Sequence, residues 1–198
     1  MKMRIISSRF SAALLAAIMI IAVYPNRVWA VTPCTKLPAG GRLLMLVPKD
    51  FKTFTYVSNV NGICKLHNFG ELATEELRAQ LSPFFRSIRV ERVDSEGAAK
   101  IRLAFGDYEL PDSRYDLIAV PEFRDVDSWV KGDRYGFNID MRVKFYTPDE
   151  SKVTRIRGRG ESNTGLYGPG TGKSGSLAVR KAVAAVVEGV CQEGKSIF

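Results

Sequence analysis

Lys173 and Ser174 stand directly behind a glycine in the stretch YGPGTGKSGS, Tyr167 to Ser176, and a helix-like segment follows. A phosphate-binding loop reads G-x-x-x-x-G-K-[ST], a spacing that curls successive backbone N–H groups around the phosphates while lysine reaches the terminal one. Gly172, Lys173 and Ser174 supply the second half, but Tyr167 occupies the place of the first glycine and Gly168 leaves only three residues between. A bulky side chain at that place opposes close approach of the backbone to a phosphate. The stretch reads as a Gly-rich connection into a helix, and no nucleotide is expected.

Other reactive residue types are sparse. His67 is the only histidine, three residues after Cys64. A Cys-x-x-His half-site needs a second half to hold zinc, and none is visible. A Ser-His-Asp or Cys-His arrangement would have to use the same His67. Glu122, Asp125 and Asp127 are carboxylates that a glycosidase could pair, but they read as a solvated edge beside a strand. No catalytic residue, metal site or cofactor is assigned, and the expectation is a protein that is not an enzyme.

The N-terminus speaks to compartment. Lys2, Arg4 and Arg9 precede the uncharged run SAALLAAIMIIAV, Ser11 to Val23, and Val28-Trp29-Ala30 ends the segment. This is the pattern of a secretory signal peptide, with cleavage expected after Ala30. The apolar run falls short of the roughly twenty residues that span a bilayer. Removing Lys2, Arg4, Arg9 and Arg27 takes the formal charge from +8 to about +4, too mild to argue for nucleic acid. Nucleotide triphosphates are not maintained outside the cytoplasm, which again disfavours a phosphate loop.

Cys34, Cys64 and Cys191 remain in the exported chain, an odd count for an oxidising compartment. Cys64–Cys191 is the candidate disulfide, tying early and late parts of the fold, although the residues alone leave the pairing open. Lipid attachment at Cys34 would account for the odd count, but Pro33 stands where that motif wants a small residue.

Residues 31–41 form a loose leader rich in Pro and Gly, and residues 42–198 are read as one α+β domain. RLLMLVP, Arg42 to Pro48, reads as a buried first strand. Residues 49–67 read as a long loop or irregular hairpin. Asn68 offers an N-cap with Glu71 at capping-box spacing, Leu72, Ala73, Leu77, Leu81 and Phe84 recur at helical intervals, and Pro83 ends or kinks the last turn. SIRVERV, Ser87 to Val93, and YDLIAVPEF, Tyr115 to Phe123, read as strands, and residues 94–114 are ambiguous.

The clearest element runs from Tyr135 to Phe145, where apolar and polar residues alternate strictly. A turn at Pro148 to Ser151 returns the chain as KVTRIRGRGESN. With that turn, paired residue numbers sum to 299. Ile156 then faces Val143 on the core side, Arg155 faces Lys144, Arg157 faces Arg142 and Arg159 faces Asp140. Gly158 and Gly160 fall on the core side, where a helix could pack closely. Ser174 or Ser176 would cap a last helix with Val179, Val183, Val186 and Val190 along one face and small Ala182 and Ala185 beside them. The expected fold is α+β: an antiparallel-rich mixed sheet with two long helices packed on one face.

This order of elements resembles the small periplasmic domains related to the N-terminal domain of TolB and to the curli-secretion and penicillin-binding-protein-activator lipoproteins. Asp116 to Pro121, the hairpin from Gly136 to Gly160, and Ala178 to Val187 carry the resemblance, which covers roughly residues 42–190. It implies a lipid-anchored accessory factor of envelope assembly or secretion, not an enzyme, in a group of which several members oligomerise. The chain departs from many of them at Pro33.

Acidic residues gather in 107–127 and basic ones in 151–181. The functional reading is an exported, periplasmic accessory protein, associated with the outer membrane, that binds an envelope protein. The alternative is a binder of anionic polysaccharide or lipopolysaccharide. In either case the expected contact is the basic strand face of Arg142, Lys144, Arg155, Arg157 and Arg159. Opposite patches on one molecule could also meet head to tail in a homo-oligomer.

Overall fold

A computed structural model describes residues 41–60, 63–94, 115–148, 154–165 and 173–197, all within the unit Cys34–Phe198; residues 58–60, 63–66 and 194–197 are described by their backbone alone. The expected signal segment, the leader up to residue 40, Cys34, the ambiguous stretch 95–114 and residues 166–172 lie outside the described residues. The elements are β1 (Arg42–Pro48), α1 (Lys49–Lys52), β2 (Thr55–Val60), β3 (Ile63–Asn68), α2 (Phe69–Leu81), a 3₁₀ turn (Ser82–Phe84), β4 (Ser87–Val93), β5 (Leu117–Lys131), β6 (Arg134–Tyr146), β7 (Thr154–Glu161), β8 (Thr164–Gly165) and α3 (Ser174–Ile197).

The main sheet has the order β4-β1-β5-β6-β7, with β8 paired to the far end of β6. It is mixed rather than antiparallel-rich, which corrects the sequence expectation. β1 runs parallel to both β4 and β5, and only β5, β6, β7 and β8 pair antiparallel. The reason is the connection through α2: a strand-to-strand crossover that includes a helix allows parallel neighbours, while a tight turn enforces antiparallel ones. β1 lies between two strands and is buried from Leu43 to Pro48, the near-continuous apolar run expected of a parallel strand covered on both faces. Its register against β5 is pinned by Asp116, whose carboxylate accepts from the Arg42 backbone N–H at 2.6 Å and whose own N–H donates to the Arg42 carbonyl at 2.9 Å.

Residues 55–68 form a regular antiparallel hairpin, β2–β3, as a separate two-stranded sheet. The Tyr56 hydroxyl joins it to β5, accepting from the Ser128 N–H and sharing a hydrogen bond with the Ser128 hydroxyl, both at 3.2 Å. The helix after it starts where the sequence placed it, but Asn68 makes no side-chain cap bond. Its Oδ1 instead accepts from the Thr55 hydroxyl at 3.4 Å, a cross-strand bond that the hairpin makes available.

Leu43, Met45 and Val47 of β1, Phe137, Met141 and Phe145 of β6, and Leu77 and Leu81 of α2 form one core with Val179, Val183 and Val186 of α3. Both long helices therefore cover the same face. The other face carries a second cluster of Leu44, Leu46, Val93, Tyr115, Ile118 and Val120, so its β1 and β5 region is apolar as well. Its charged region lies further along, on the distal part of β5 and on β6 and β7.

Helix α3 lies directly against the backbone of β7. A Cβ built on Gly158 would stand 2.0 Å from the Ala182 carbonyl oxygen, and one on Gly160 would stand 1.9 Å from that of Ala178. Ala178 and Ala182, rather than Ala185, are the small helix residues at this contact. Side chains rarely yield enough to relieve a backbone clash, so either substitution forces the helix off the sheet. Gly160→Ala is expected to lose about 2 kcal/mol or more in urea unfolding. Gly165→Ala, where an added Cβ meets nothing within 4 Å, is expected to change stability by less than about 0.5 kcal/mol. Equal effects of the two would mean that the helix does not seat on these glycines.

Candidate functional site

The β6–β7 register matches the sequence reading in every pair: Arg159 opposite Asp140, Arg157 opposite Arg142, Ile156 opposite Val143, Arg155 opposite Lys144. With Gly158 and Gly160 turned to α3, the arginines at 155, 157 and 159 project from the other face of an edge strand. The structure thus brings all five predicted basic residues onto one face. It does not leave all five free.

Glu122 on β5 lies across from Arg142. Arg142 donates to its Oε1, and the Lys144 ammonium donates to its Oε2 at 2.7 Å. Arg142 and Lys144 are only 17% and 15% exposed at their side chains. Glu122 is therefore no solvated edge carboxylate; it holds two cations in a nearly closed ion-pair group. The acidic segment is thus paired with β6, the strand that lies between it and the basic strand β7.

Asp140 forms the second group. Arg157 Nε donates to its two carboxylate oxygens at 2.7 and 2.9 Å, the terminal amino group of Arg157 adds a further bond, and Arg159 Nε lies 3.8 Å away. The bond from Arg157 is the main cause that holds the Asp140 carboxyl below its ordinary 3.8, against the opposing effect of burial; Arg157, Arg159 and Arg124 add attraction. Asp140 in turn raises the Arg157 guanidinium above its ordinary value. Asp125 sits opposite Asp140, a like-charge pairing that is unfavourable without neighbouring cations. Arg124 supplies one of them. It occupies a break in the β5–β6 register, between Phe123 and Asp125, and is exposed.

The residues left to meet a partner are Arg155, exposed and without an ion pair among the described residues, and Arg159, 71% exposed at its side chain. Arg124 belongs with them and was missed in the sequence, where no pattern marks a bulge. Beyond Arg159 the same face opens into a broad groove of about 630 Å³ lined by Trp129, Lys131, Asp133, Arg134, Glu161 and Asn163.

Among the residues that suggested a phosphate loop, Ser174 has a structural partner. Ser174 is fully buried, begins α3, and shares a 2.7 Å hydrogen bond with the Ser162 hydroxyl. Ser162 also accepts from the Phe137 N–H at 3.0 Å. His67 packs against the rings of Phe69 and Phe137, with centroids 5.3 and 4.8 Å away. Cys191 is half-buried against the core and disulfide-bonded; its partner lies outside the described side chains, so the Cys64–Cys191 pairing remains a proposal. Among the described residues no group of three or more His, Cys, Asp or Glu could hold a metal ion, and no helix is long and apolar enough to cross a membrane.

No family model matches the chain, and no curated protein matches it. Solved structures do show likeness. The hypothetical protein CT253 from Chlamydia trachomatis is 12% identical with a TM-score of 0.40, covering 80% of this chain and 97% of that one. A PelC dodecamer from Paraburkholderia phytofirmans is 10% identical with a TM-score of 0.38, covering 74% and 87%. Lipoprotein GNA1162 from Neisseria meningitidis is 12% identical with a TM-score of 0.36, covering 78% and 99%. The neighbours thus include lipoproteins and a hypothetical protein, all at low identity.

A carboxylate with a depressed folded value contributes stability above its unfolded value, near 3.9, and loses it as pH falls through the lower folded value. Asp140 is expected to titrate below 3.8 by carboxyl NMR, and Arg157→Ala to move it upward. The Arg157→Ala protein should then lose less stability than the parent as pH falls below about 4. An Asp140 midpoint unaffected by Arg157→Ala would show that this pair is not what holds the carboxyl down.

Proposed function

We propose that the chain is a non-enzymatic, exported accessory protein of the cell envelope, binding an anionic partner through the outer face of β7. The observation that carries this reading is the division among the basic residues. Arg142, Lys144 and Arg157 are held by Glu122 and Asp140, whereas Arg155 and Arg159 extend from an edge strand into solvent with little to balance them. Exposed, unbalanced cations on a rigid sheet attract anions and steer them at low salt. An acidic envelope protein fits such a row. An anionic polysaccharide or lipopolysaccharide fits it too, and the groove that continues the row beyond Arg159 favours that second reading. Self-association into a homo-oligomer, outer-membrane association, and the finer relationship to TolB-like, curli-secretion and penicillin-binding-protein-activator domains belong to the same proposal.

Arg155→Ala with Arg159→Ala is expected to weaken binding to an immobilised polyuronate about tenfold or more and to flatten its salt dependence. The double variant should keep the parent melting temperature, because neither residue anchors a buried ion pair. Unchanged polymer binding, together with unchanged capture of envelope proteins, would overturn the proposal. Export is read by intact mass from envelope fractions. A chain starting after Ala30, lighter by the two hydrogens of one disulfide before reduction, is expected. A chain starting at Met1 and confined to the cytoplasm would remove the export part.

A further inference from the structure

The groove past Arg159 has a composition unlike the rest of the face. Trp129 is its aromatic member, half-buried, with the six-membered part of its indole against Gly136: a Cβ at Gly136 would stand 2.5 and 2.6 Å from Trp129 Cζ2 and Cε2. The same Cβ would stand 2.1 Å from the Ser162 carbonyl oxygen, so only glycine lets the indole lie down on the strand. Ser162 is itself fixed to Phe137, its N–H donating to the Phe137 carbonyl at 3.0 Å and its hydroxyl accepting from the Phe137 N–H. The ring is thus seated on rigid backbone at a lip of the groove. This resembles a platform more than a loose surface side chain.

Around it stand Lys131, Asp133, Arg134, Glu161 and Asn163, all exposed, and none of their side chains forms an ion pair or hydrogen bond among the described residues. They offer cationic donors, carboxylate acceptors and one amide that does both, with two charges of each sign. A groove of no net charge with mixed donors and acceptors suits hydroxyl-rich ligands rather than a phosphate or a carboxylate alone. A flat apolar ring flanked by such groups suits a sugar, whose C–H face needs a platform and whose hydroxyls need both donors and acceptors. Glu161 also closes the arginine row, so the groove and the row form one track along β7.

We propose that Trp129 is the platform of a saccharide subsite, and that the ligand is an acidic polysaccharide: one sugar ring rests on Trp129 while acidic groups of neighbouring residues reach Arg159 and Arg155. This rests on the β7 reading above and specifies its ligand. The only other tryptophan in the chain is Trp29. In full-length Trp29→Phe protein, indole fluorescence therefore reports on Trp129 alone.

The experiment titrates that protein with a hexameric oligouronate, a neutral hexaglucan and inorganic polyphosphate. A saturable change in fluorescence is expected with the oligouronate, a weaker one with the neutral hexamer, and none with polyphosphate. Trp129→Ala should weaken oligouronate binding about tenfold by calorimetry, and Trp129→Phe, which keeps a ring, should stay within about threefold of the parent. A Trp129→Ala protein that keeps the far-UV circular dichroism of the parent excludes general unfolding as the cause. Oligouronate binding that leaves the fluorescence unchanged and survives Trp129→Ala would overturn the subsite. If polyphosphate and oligouronate then bind alike, and both depend on Arg155 and Arg159, the arginine row stands without the saccharide. A fluorescence response that ignores Arg155→Ala with Arg159→Ala would keep the saccharide subsite and remove the row.

Discussion

The contact on which the rest of this molecule depends is that of α3 with the bare backbone of β7. A helix can approach a strand this closely only where side chains are missing, and Gly158 and Gly160 are the two positions that provide it. The consequence reaches through the sheet. Alternation then places residues 155, 157, 159 and 161 on the opposite face, where they cannot contribute to the core. An edge strand that carries three arginines there is also protected from pairing with another chain, since charge on an edge is a common defence against strand addition. One packing requirement thus explains both the stability of the last helix and the basic row.

Electrostatic pairing decides what that row can do. Glu122 and Asp140 are each largely withdrawn from water, at 12% and 14% side-chain exposure, and such carboxylates need partners. Their partners are drawn from the same face: Arg142 and Lys144 for Glu122, Arg157 for Asp140. Counting cations along the strands would therefore overstate the attraction of the face for an anion. What remains is Arg155, without an ion pair among the described residues, and Arg159, held to Asp140 only at 3.8 Å. Exposed rim charges contribute little to stability, so a function in binding is compatible with what the fold requires of them.

The β6–β7 half of the sheet was legible because its register runs without a shift through the described pairs. A strict period of two and a turn of known length fix every partner, and the residue-number sum of 299 holds from Asn138↔Glu161 to Phe145↔Thr154. The β5–β6 half shows why this cannot be generalised. Its turn holds Gly132, at φ +61°, followed by Asp133, and the pairs next to it sum to 265. Past the bulge at Arg124 they sum to 264, which puts Glu122 opposite Arg142 instead of Val143. A single inserted residue carries a side chain to the other face. The carboxylate that pairs with two of the five predicted basic residues was hidden behind that shift, and so was the length of β5. The parallel pairing of β1 was hidden for a different reason: RLLMLVP shows burial on both faces but does not name its neighbours.

The resemblance to a phosphate loop follows from the same architecture. α3 lies back over β7, the strand before it, and a chain that returns over its own strand needs turn-forming residues. Gly and Ser answer that need as well as they answer the need to cradle a phosphate, and a motif read alone cannot separate the two. The partners of Ser174 separate them. In a nucleotide site this hydroxyl faces a metal ion beside the phosphates, yet here it is fully buried and bonded to Ser162, which grips both the N–H and the carbonyl of Phe137. The serine fastens the start of α3 to β6 at the end of the sheet where Gly136 receives Trp129. The serine that suggests nucleotide chemistry in the sequence thus helps hold the frame on which the β7 face and its groove are built.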